Sequence, residues 1–204
     1  MVTRIKLLLA DDQALVRGAL GALLDLEPDL YVVAQVGSGD EVLAAVAEHR
    51  PDVCLLDIQM PGLDGIEVAR LLREQHPEVG VLMVTTFNRP GYLRQSMEAG
   101  ATGFVVKDAP SEELAAAVRK VAAGVRVVDP ALAAESLSGG PNPLTLREVE
   151  VLRLAHDGLP INQLASRVFL SPGTVRNLLS STIHKTGASN RIEAARIARD
   201  RGWI

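Results

Sequence analysis

Short apolar runs alternate with amphipathic helical stretches through the first 124 residues, and this alternation constrains the fold more than any other feature. The runs at 5–9, 53–56, 79–84 and 103–106 have the length expected of strands buried on both faces, and another run ends at Val36. Five strands alternating with five helices predict an α/β fold, a doubly wound five-stranded parallel sheet between two layers of helices.

The helices of this half are predicted from their start and stop signals. Ser38 and Glu41 have the spacing of a capping box, and Asp64 can cap the helix that follows the third strand. The predicted helices span residues 14–26, 38–49, 65–76, 90–99 and 111–123.

Carboxylates, a hydroxyl and an ammonium group come at the ends of four of the apolar runs. Asp11 and Asp12 follow the first run, Asp57 follows the third, Thr85 ends the fourth and Lys107 follows the fifth. In a doubly wound sheet these ends share one edge, where ligands bind. Mg²⁺ takes carboxylate, carbonyl and water oxygens and commonly bridges carboxylates to phosphate. The set therefore predicts a magnesium site in which one carboxylate accepts a phosphoryl group.

This ordered set, with Met60-Pro61-Gly62 and Asp64-Gly65 after Asp57, resembles the receiver domain of two-component response regulators, which has a flavodoxin-like fold. The resemblance implies that Asp57 is the phosphoacceptor and that a sensor histidine kinase is its donor. The implied metal site consists of Asp11, Asp12, Asp57 and the backbone carbonyl of Gln59. The implied switch and phosphoryl-binding residues are Thr85, Phe104 and Lys107.

Composition narrows the class of protein further. The chain has 204 residues, of which 48% are hydrophobic, enough for two domains with their own cores. No apolar run approaches the roughly 20 residues of a membrane span and no signal-peptide pattern is present, so a cytoplasmic protein is expected. The single Cys54 lies inside an apolar run and is expected to be a buried, reduced thiol. No Gly-rich nucleotide-binding motif follows any predicted strand.

Charge divides the chain into two parts. Residues 1–124 contain 11 Lys and Arg against 18 Asp and Glu, whereas residues 144–204 contain 9 against 5. The whole basic excess of the second part comes from Ser171 onward. One basic element is therefore hidden within an acidic chain, and it is either a solvated helix face or a nucleic-acid-binding element.

The last 61 residues predict four short helices. Thr145 and Glu148 form a capping box, and Ser171 with Pro172 begins the third helix. A short helix, a tight turn and a longer helix with polar residues at its start are typical of the helix-turn-helix. A further short helix is predicted at 130–137. The predicted domains are 1–124 and 141–204, joined by a linker at 125–140.

The third helix of this half is the candidate DNA-binding element. Arginine suits guanine edges or phosphate and asparagine suits adenine, so Arg176 and Asn177 are the candidate base readers. An amphipathic helix that binds another protein remains an alternative. No aromatic stacking platform is present here, which favours double-stranded DNA over RNA or single strands. The predicted DNA-contacting residues are Ser171, Thr174, Arg176, Asn177, Ser180, Ser181, Lys185 and Arg191.

This half is similar to the LuxR-type helix-turn-helix, chiefly through residues 144–152, 171–176 and 190–194. With the receiver, it identifies the chain as a member of the NarL/FixJ family of transcriptional regulators. Thr186 departs from the family's usual Leu, and Leu178 from its frequent His. The resemblance implies homodimerisation on phosphorylation, through helices 14–26 and 111–123 and the last helix. It also implies double-stranded promoter DNA as a partner and RNA polymerase as a candidate partner.

Residues 85–92 and 201–204 are similar to the DesR branch of this family, which controls membrane-lipid desaturation with a thermosensing kinase. Control of desaturation genes is therefore a narrower hypothesis. It would be contradicted if a desaturase promoter showed no phosphorylation-dependent footprint.

Two functions of other classes compete with this interpretation. A phosphatase or hydrolase could use Asp57 as its nucleophile, but aspartate-based phosphatases commonly have a second acid two residues later, where this chain has Gln59. A phosphorylation-independent regulator could use the receiver only for dimerisation or ligand binding. Its acidic pocket would be expected to be degraded, whereas this set is complete.

Overall fold

The computed structural model describes residues 4–86, 90–128, 133, 142–155 and 158–204. They form two compact units, one built around a sheet and one helical. Each unit has its own cluster of buried hydrophobic residues. The predicted helix at 130–137 falls almost entirely outside the described residues. Within those residues no helix has both the length and the apolar character needed to cross a membrane.

The first unit is a parallel sheet whose strands alternate with helices. Its strands are β1 (Ile5–Ala10), β2 (Leu30–Val36), β3 (Val53–Leu56), β4 (Gly80–Thr85), β5 (Gly103–Val106) and β6 (Val127–Val128). Its helices are α1 (Ala14–Asp25), α2 (Val42–His49), α3 (Gly65–Gln75), α4 (Pro90–Ala99) and α5 (Ser111–Ala122), with a 3₁₀ turn at Gly39–Glu41. The strand order is β2-β1-β3-β4-β5-β6, and every neighbouring pair is parallel. The predicted fold class is confirmed.

The sheet has six strands instead of the five that the sequence predicts. Val127 and Val128 pair with Gly103 and Phe104 at the edge of the sheet. Two residues are too few to show the periodic pattern of a strand in the sequence, so β6 is recognised only by its pairing with β5.

The centre of the sheet is covered on both faces, which explains why its strands are uniformly apolar. All four residues of β3 are at most 2% exposed. Cys54 lies among them, and burial raises the pKa of its thiol to about 12. The predicted buried, reduced thiol is therefore confirmed.

Helix starts in this unit follow the predicted signals with one exception. Asp64 Oδ1 accepts from the Glu67 amide at 2.8 Å, and Glu67 Oε2 accepts from the Asp64 amide at 3.2 Å, so α3 begins with a capping box. The box predicted from Ser38 and Glu41 is wrong. Ser38 Oγ accepts from the Asp40 amide, and a 3₁₀ turn precedes α2. The helix therefore begins later than its cap suggests.

The second unit contains four helices, α6 (Leu146–Ala155), α7 (Ile161–Arg167), α8 (Pro172–Thr186) and α9 (Arg191–Asp200). The capping box before α6 forms as predicted, with the Thr145 amide 2.6 Å from Glu148 Oε2 and the Glu148 amide 3.3 Å from Thr145 Oγ1. Ser171 caps α8 and Pro172 is its first residue, and Asn190 caps α9. Trp203 and Ile204 also belong to this core, since they are at most 8% exposed.

Candidate functional site

The three predicted carboxylates meet at the carboxyl edge of the sheet. Ala10 and Leu56 are register partners in β1 and β3, so the residues after them start from the same level. The Asp57 amide donates to the Ala10 carbonyl at 2.8 Å, which holds the carboxyl ends of β1 and β3 together. One carboxylate oxygen from each of Asp11, Asp12 and Asp57 lies within 4.8 Å of the others.

Two of the three carboxylates are removed from solvent. Asp11 is 4% exposed and Asp57 5%, whereas Asp12 is exposed. Asp57 Oδ1 accepts from the Ile58 amide at 2.8 Å. Burial raises the pKa of Asp57 above its usual range, against the opposing effect of the Lys107 ammonium group. A buried carboxylate surrounded by like charges is well placed to bind a cation or to be phosphorylated.

Lys107 is the cation within this cluster. Its Nζ lies 2.7 Å from Asp11 Oδ2 and 3.2 Å from Asp57 Oδ2, and its side chain is only 6% exposed. The Lys107 amide donates to the Thr85 carbonyl at 2.8 Å, which aligns the ends of β5 and β4. One ammonium group therefore contacts two carboxylates, and it can instead contact a phosphoryl oxygen of similar charge.

The remaining predicted receiver residues fall at the same edge or just below it. Thr85 is the last residue of β4 and is fully buried, and Phe104 in β5 is 1% exposed and pairs with Met83. Gln59 is exposed in the loop two residues after Asp57.

Gly65 closes this loop against the acid site. Its amide donates to the Ile58 carbonyl at 2.9 Å, and a Cβ at this position would overlap the Asp57 carbonyl. A side chain here would therefore displace the backbone of the acid site, which explains the glycine after Asp64 in physical terms.

Sequence reasoning missed Arg17. Its guanidinium donates to the backbone carbonyl of Asp11 from the second turn of α1. It also lines a small pocket with Asp11, Asp57 and apolar residues of α1, β1, β3 and β4. An Arg one turn into a helix gives no sequence signal that distinguishes this role from an ordinary exposed position.

The acid cluster fits a divalent metal ion. Carboxylate oxygens are the hard donors that Mg²⁺ prefers, and three of them converge within 4.8 Å. The single ammonium group of Lys107 does not balance the three acids, so the cluster keeps an excess of negative charge. The side chains that could hold the ion are Asp11, Asp12 and Asp57.

In the helical unit, α8 has one buried and one exposed face. Val175, Leu179, Thr182 and Thr186 are buried against the core. The exposed residues of its polar face recur at helical spacing, so they lie on one side of the helix. They are Thr174, Arg176, Asn177, Ser180, His184 and Lys185.

Two of the predicted DNA-contacting residues are bonded to a buried glutamate. Glu148 is 3% exposed; its Oε1 accepts from Ser181 Oγ at 2.6 Å and its Oε2 lies 2.7 Å from Lys185 Nζ. Burial raises the pKa of Glu148, but the hydrogen bonds from Lys185, Ser181 and Thr145 outweigh it and hold the pKa at about 2. Ser181 and Lys185 therefore fix α8 to α6 within the helical unit.

Three further residues of the predicted DNA-contacting set also have internal partners. The Arg191 guanidinium donates to the Leu159 carbonyl at 3.0 Å, which ties the start of α9 to the loop before α7. Ser171 Oγ accepts from the Thr174 amide at 3.1 Å and lies 2.8 Å from Thr174 Oγ1. Arg176, Asn177 and Ser180 are the predicted residues whose side chains lie on the exposed face without such a bond among those the structure shows.

The two departures from the LuxR-type pattern are accommodated in α8. Thr186 Oγ1 donates to the Thr182 carbonyl at 2.7 Å, so its buried hydroxyl is satisfied within its own helix. Leu178 is partly buried and packs against the core of the helical unit.

Comparison with known protein families assigns both units. Residues 7–119 match the response regulator receiver domain, and residues 142–198 match the bacterial regulatory proteins of the luxR family. The chain belongs to the NarL/FixJ family of response regulators. The two-component resemblance that the sequence predicts is thereby confirmed.

Curated relatives match this response regulator along nearly its whole length. It is 45% identical to the transcriptional regulatory protein YvfU of Bacillus subtilis, over 98% of this chain and 100% of YvfU. It is 42% identical to DesR of the same organism, over 98% of this chain and 99% of DesR. These relatives are transcriptional regulators rather than catalysts, which argues against the phosphatase alternative.

A solved structure supports the same assignment. The crystal structure of the response regulator ChrA, from a heme-sensing two-component system, has a TM-score of 0.59 and 35% identity, and the match covers 98% of this chain and 99% of ChrA. The family and fold of this response regulator are therefore supported by family matches, by relatives along the whole chain and by a solved structure.

Proposed function

We propose that this response regulator accepts a phosphoryl group on Asp57 from a sensor histidine kinase and thereby activates its DNA-binding unit. The observation that supports this most directly is the position of Asp57, a buried carboxylate 3.2 Å from Lys107 and within 4.8 Å of two other acids. The same observation argues against a receiver that works without phosphorylation, because no acid of the cluster has been lost.

The chemical step transfers a phosphoryl group from a histidine nitrogen to a carboxylate oxygen. A carboxylate oxygen of Asp57 attacks the phosphorus of a phosphohistidine, a P–O bond forms as the P–N bond breaks, and the imidazole nitrogen keeps the electron pair. Mg²⁺, when held by Asp11, Asp12, Asp57 and the Gln59 carbonyl, supplies charge neutralisation for the transferred group. Lys107 exchanges its contact with Asp57 Oδ2 for a phosphoryl oxygen.

Thr85 and Phe104 form the proposed switch next to the phosphorylated residue. Thr85 is fully buried at the end of β4, and its hydroxyl can donate to a phosphoryl oxygen. Phosphorylation adds charge and strong acceptor oxygens at this edge, so it favours the receiver state in which Thr85 and Lys107 both face the phosphoryl group.

The exposed face of α8 is the proposed DNA-reading surface. Arg176 and Asn177 are exposed one after the other on this helix and suit guanine and adenine edges, respectively. Thr174 and Ser180 flank them on the same face, and Ser171 lies at the start of the helix. The internal bonds of Lys185 and Arg191 disfavour base reading by these two residues.

A second copy of the chain is the proposed occupant of the exposed face of α1. Leu15 is 87% exposed and Leu23 44%, and Leu26, directly after the helix, is 79% exposed, an unusual amount of apolar surface for one element. Together with α5 this face forms the proposed receiver dimer. Pairing through α9, whose Ile192 is 55% exposed, would follow on DNA. A twofold dimer would bind an inverted repeat with half-sites about one helical turn apart.

The genes under control are a narrower part of the proposal. The 42% identity to DesR and the similar residues at 85–92 and 201–204 support control of genes for membrane-lipid desaturation. The proposed regulator acts in the cytoplasm. A footprint on a desaturase promoter that depends on phosphorylation would support it, and its absence would contradict this narrower role alone.

Light scattering after gel filtration tests the switch. We expect a shift from monomer to dimer when Mg²⁺ and beryllofluoride, a mimic of the phosphoryl group, are added together. Asp57→Ala should abolish the shift, and Glu74→Ala, which removes an exposed carboxylate of the same unit, should keep it. A wild-type mass that does not change would contradict activation by dimerisation.

A further inference from the structure

Phe169, in the turn between α7 and α8, has a backbone conformation that disfavours a bulky side chain. Its φ is +55°, and an L residue with a large side chain in this left-handed region costs roughly 1–2 kcal/mol. The turn closes by a bond from the Leu170 amide to the Ala165 carbonyl at 2.9 Å, the hydrogen-bond pattern that ends many helices at a glycine.

The same chain uses glycine in equivalent turns. Gly187 has φ +69° and is followed by a bond from the Ala188 amide to Ile183 at 3.0 Å. Gly100, Gly124 and Gly202 end their helices in the same way. Among the described residues, Arg50 and Phe169 are the non-glycine residues at positive φ. The backbone of this turn therefore gives no reason for phenylalanine.

Packing within the unit gives no reason either. The side chain of Phe169 is 93% exposed, whereas its neighbours Val168 and Leu170 are buried and partly buried against the core. An exposed phenyl ring gains none of the free energy that burial would give it. Both the backbone and the exposure therefore disfavour this residue, and both costs would be offset if the ring were covered by a partner.

The position of the ring identifies the partner. Phe169 lies two residues before Ser171, so its Cα is within about 7 Å of the cap of α8 along the chain. In a helix-turn-helix the start of the recognition helix enters the major groove, and the turn before it faces the sugar-phosphate backbone at the groove's edge. The apolar part of that backbone is the deoxyribose.

We infer that Phe169 contacts a deoxyribose of the DNA backbone and positions α8 in the major groove, independently of base sequence. This inference rests on the proposed function, because it requires that α8 binds DNA. A contact between a phenyl ring and a sugar neutralises no phosphate. It therefore adds affinity for any duplex without releasing counterions, unlike a contact made by Arg or Lys.

The test uses the full chain with Mg²⁺ and beryllofluoride. Its probes are a duplex selected from a random-sequence library by the wild-type protein and an unrelated duplex of equal length. Phe169→Asn and Phe169→Gly tolerate the left-handed conformation but lack the ring. Phe169→Tyr keeps the ring, and Arg50→Gly changes a left-handed residue outside the helical unit. Dissociation constants are measured over a range of salt concentrations, and unfolding is followed by the fluorescence of Trp203.

We expect Phe169→Asn and Phe169→Gly to weaken binding to both duplexes by about tenfold, with the salt dependence unchanged and the melting temperature not lowered. Phe169→Tyr and Arg50→Gly should stay within about twofold of wild type.

Three results would overturn the inference while wild-type binding stands. Unchanged affinity of Phe169→Asn and Phe169→Gly for both duplexes would show that the ring does not contact DNA. Loss on the selected duplex alone would assign it to a base, and a lowered melting temperature would make it part of the fold. If the wild-type chain binds neither duplex, the proposed function and this inference fail together.

Discussion

The acid site and the recognition helix differ in how their polar residues are used. At the acid site, Asp11, Asp57 and Lys107 are nearly buried, and their charges face one another. On α8, by contrast, Ser181 and Lys185 are bonded to Glu148, whereas Arg176 and Asn177 are exposed. In a buried cluster the polar residues that converge indicate function. On a helix face, the exposed polar residues that make no side-chain bond within the unit indicate function.

The largest expected effect concerns Asp57. Asp57→Ala removes the carboxylate that would be phosphorylated, so the stimulation of DNA binding by a phosphodonor such as acetyl phosphate should be abolished. Gel-shift titrations with and without the phosphodonor measure this. The variant should keep the basal affinity of the wild-type chain. A residual stimulation of the same size would show that the acceptor is another residue.

The next effect sharpens the structural half of the comparison. Glu148→Gln removes the charge that Lys185 and Ser181 surround, and we expect it to lower the free energy of unfolding of the helical unit by about 2–3 kcal/mol. Urea titrations followed by the fluorescence of Trp203, the single tryptophan, report on this unit. Glu150→Gln, at a more exposed acid of the same helix, is the control.

The same glutamate predicts a pH dependence. Because the folded-state pKa of Glu148 is about 2, below its ordinary value of 4.5, the stabilisation is present above about pH 5 and is lost as the pH falls toward 2. The difference in stability between wild type and Glu148→Gln should therefore shrink between pH 5 and pH 2. A difference that is constant over this range would contradict an ionised Glu148.

A smaller effect tests the reading surface. Asn177→Ala should lower the preference for the selected duplex over unrelated DNA by about tenfold, because a bidentate contact to a base is worth roughly 1–3 kcal/mol of discrimination. Competition titrations with the two duplexes measure this ratio. If the variant weakens binding to both duplexes equally, Asn177 is not a base reader.

The smallest expected effect tests whether Lys185 differs from the exposed residues of α8. Lys185→Met should lower the stability of the helical unit by about 1 kcal/mol, because Glu148 keeps its bonds from Ser181 and Thr145. Its effect on the salt dependence of DNA binding should be smaller than that of Arg176→Ala. A large drop in the salt slope would instead show that Lys185 contacts a phosphate, as the sequence alone suggests.

The sequence predicted the acid site more completely than the helix face. Asp57, Thr85 and Lys107 each end or follow a strand, and parallel strands bring their carboxyl ends to one edge whatever the details of packing. The residues missed there and elsewhere have no local signal. Arg17 reaches the Asp11 carbonyl only because α1 packs where it does, and β6 exists only beside β5.

On the helix face the sequence could not separate two roles of the same residue type. Lys185 and Arg176 are both basic residues of one amphipathic helix, and only the position of Glu148 on α6 shows that one of them is engaged. The capping box predicted at Ser38 failed for a related reason. Its residue types suit a helix start, but the backbone there forms a 3₁₀ turn.

The amino-acid sequence by itself determined the two units, the polar groups at the carboxyl ends of the parallel strands, and the polar face of α8. These features follow from periodicity and chain order. The tertiary structure decided which polar groups are engaged with one another, as with Lys107 between Asp11 and Asp57 or Lys185 on Glu148. The reason is physical: hydrophobic pattern is local, whereas burial and hydrogen bonding depend on residues distant in the chain.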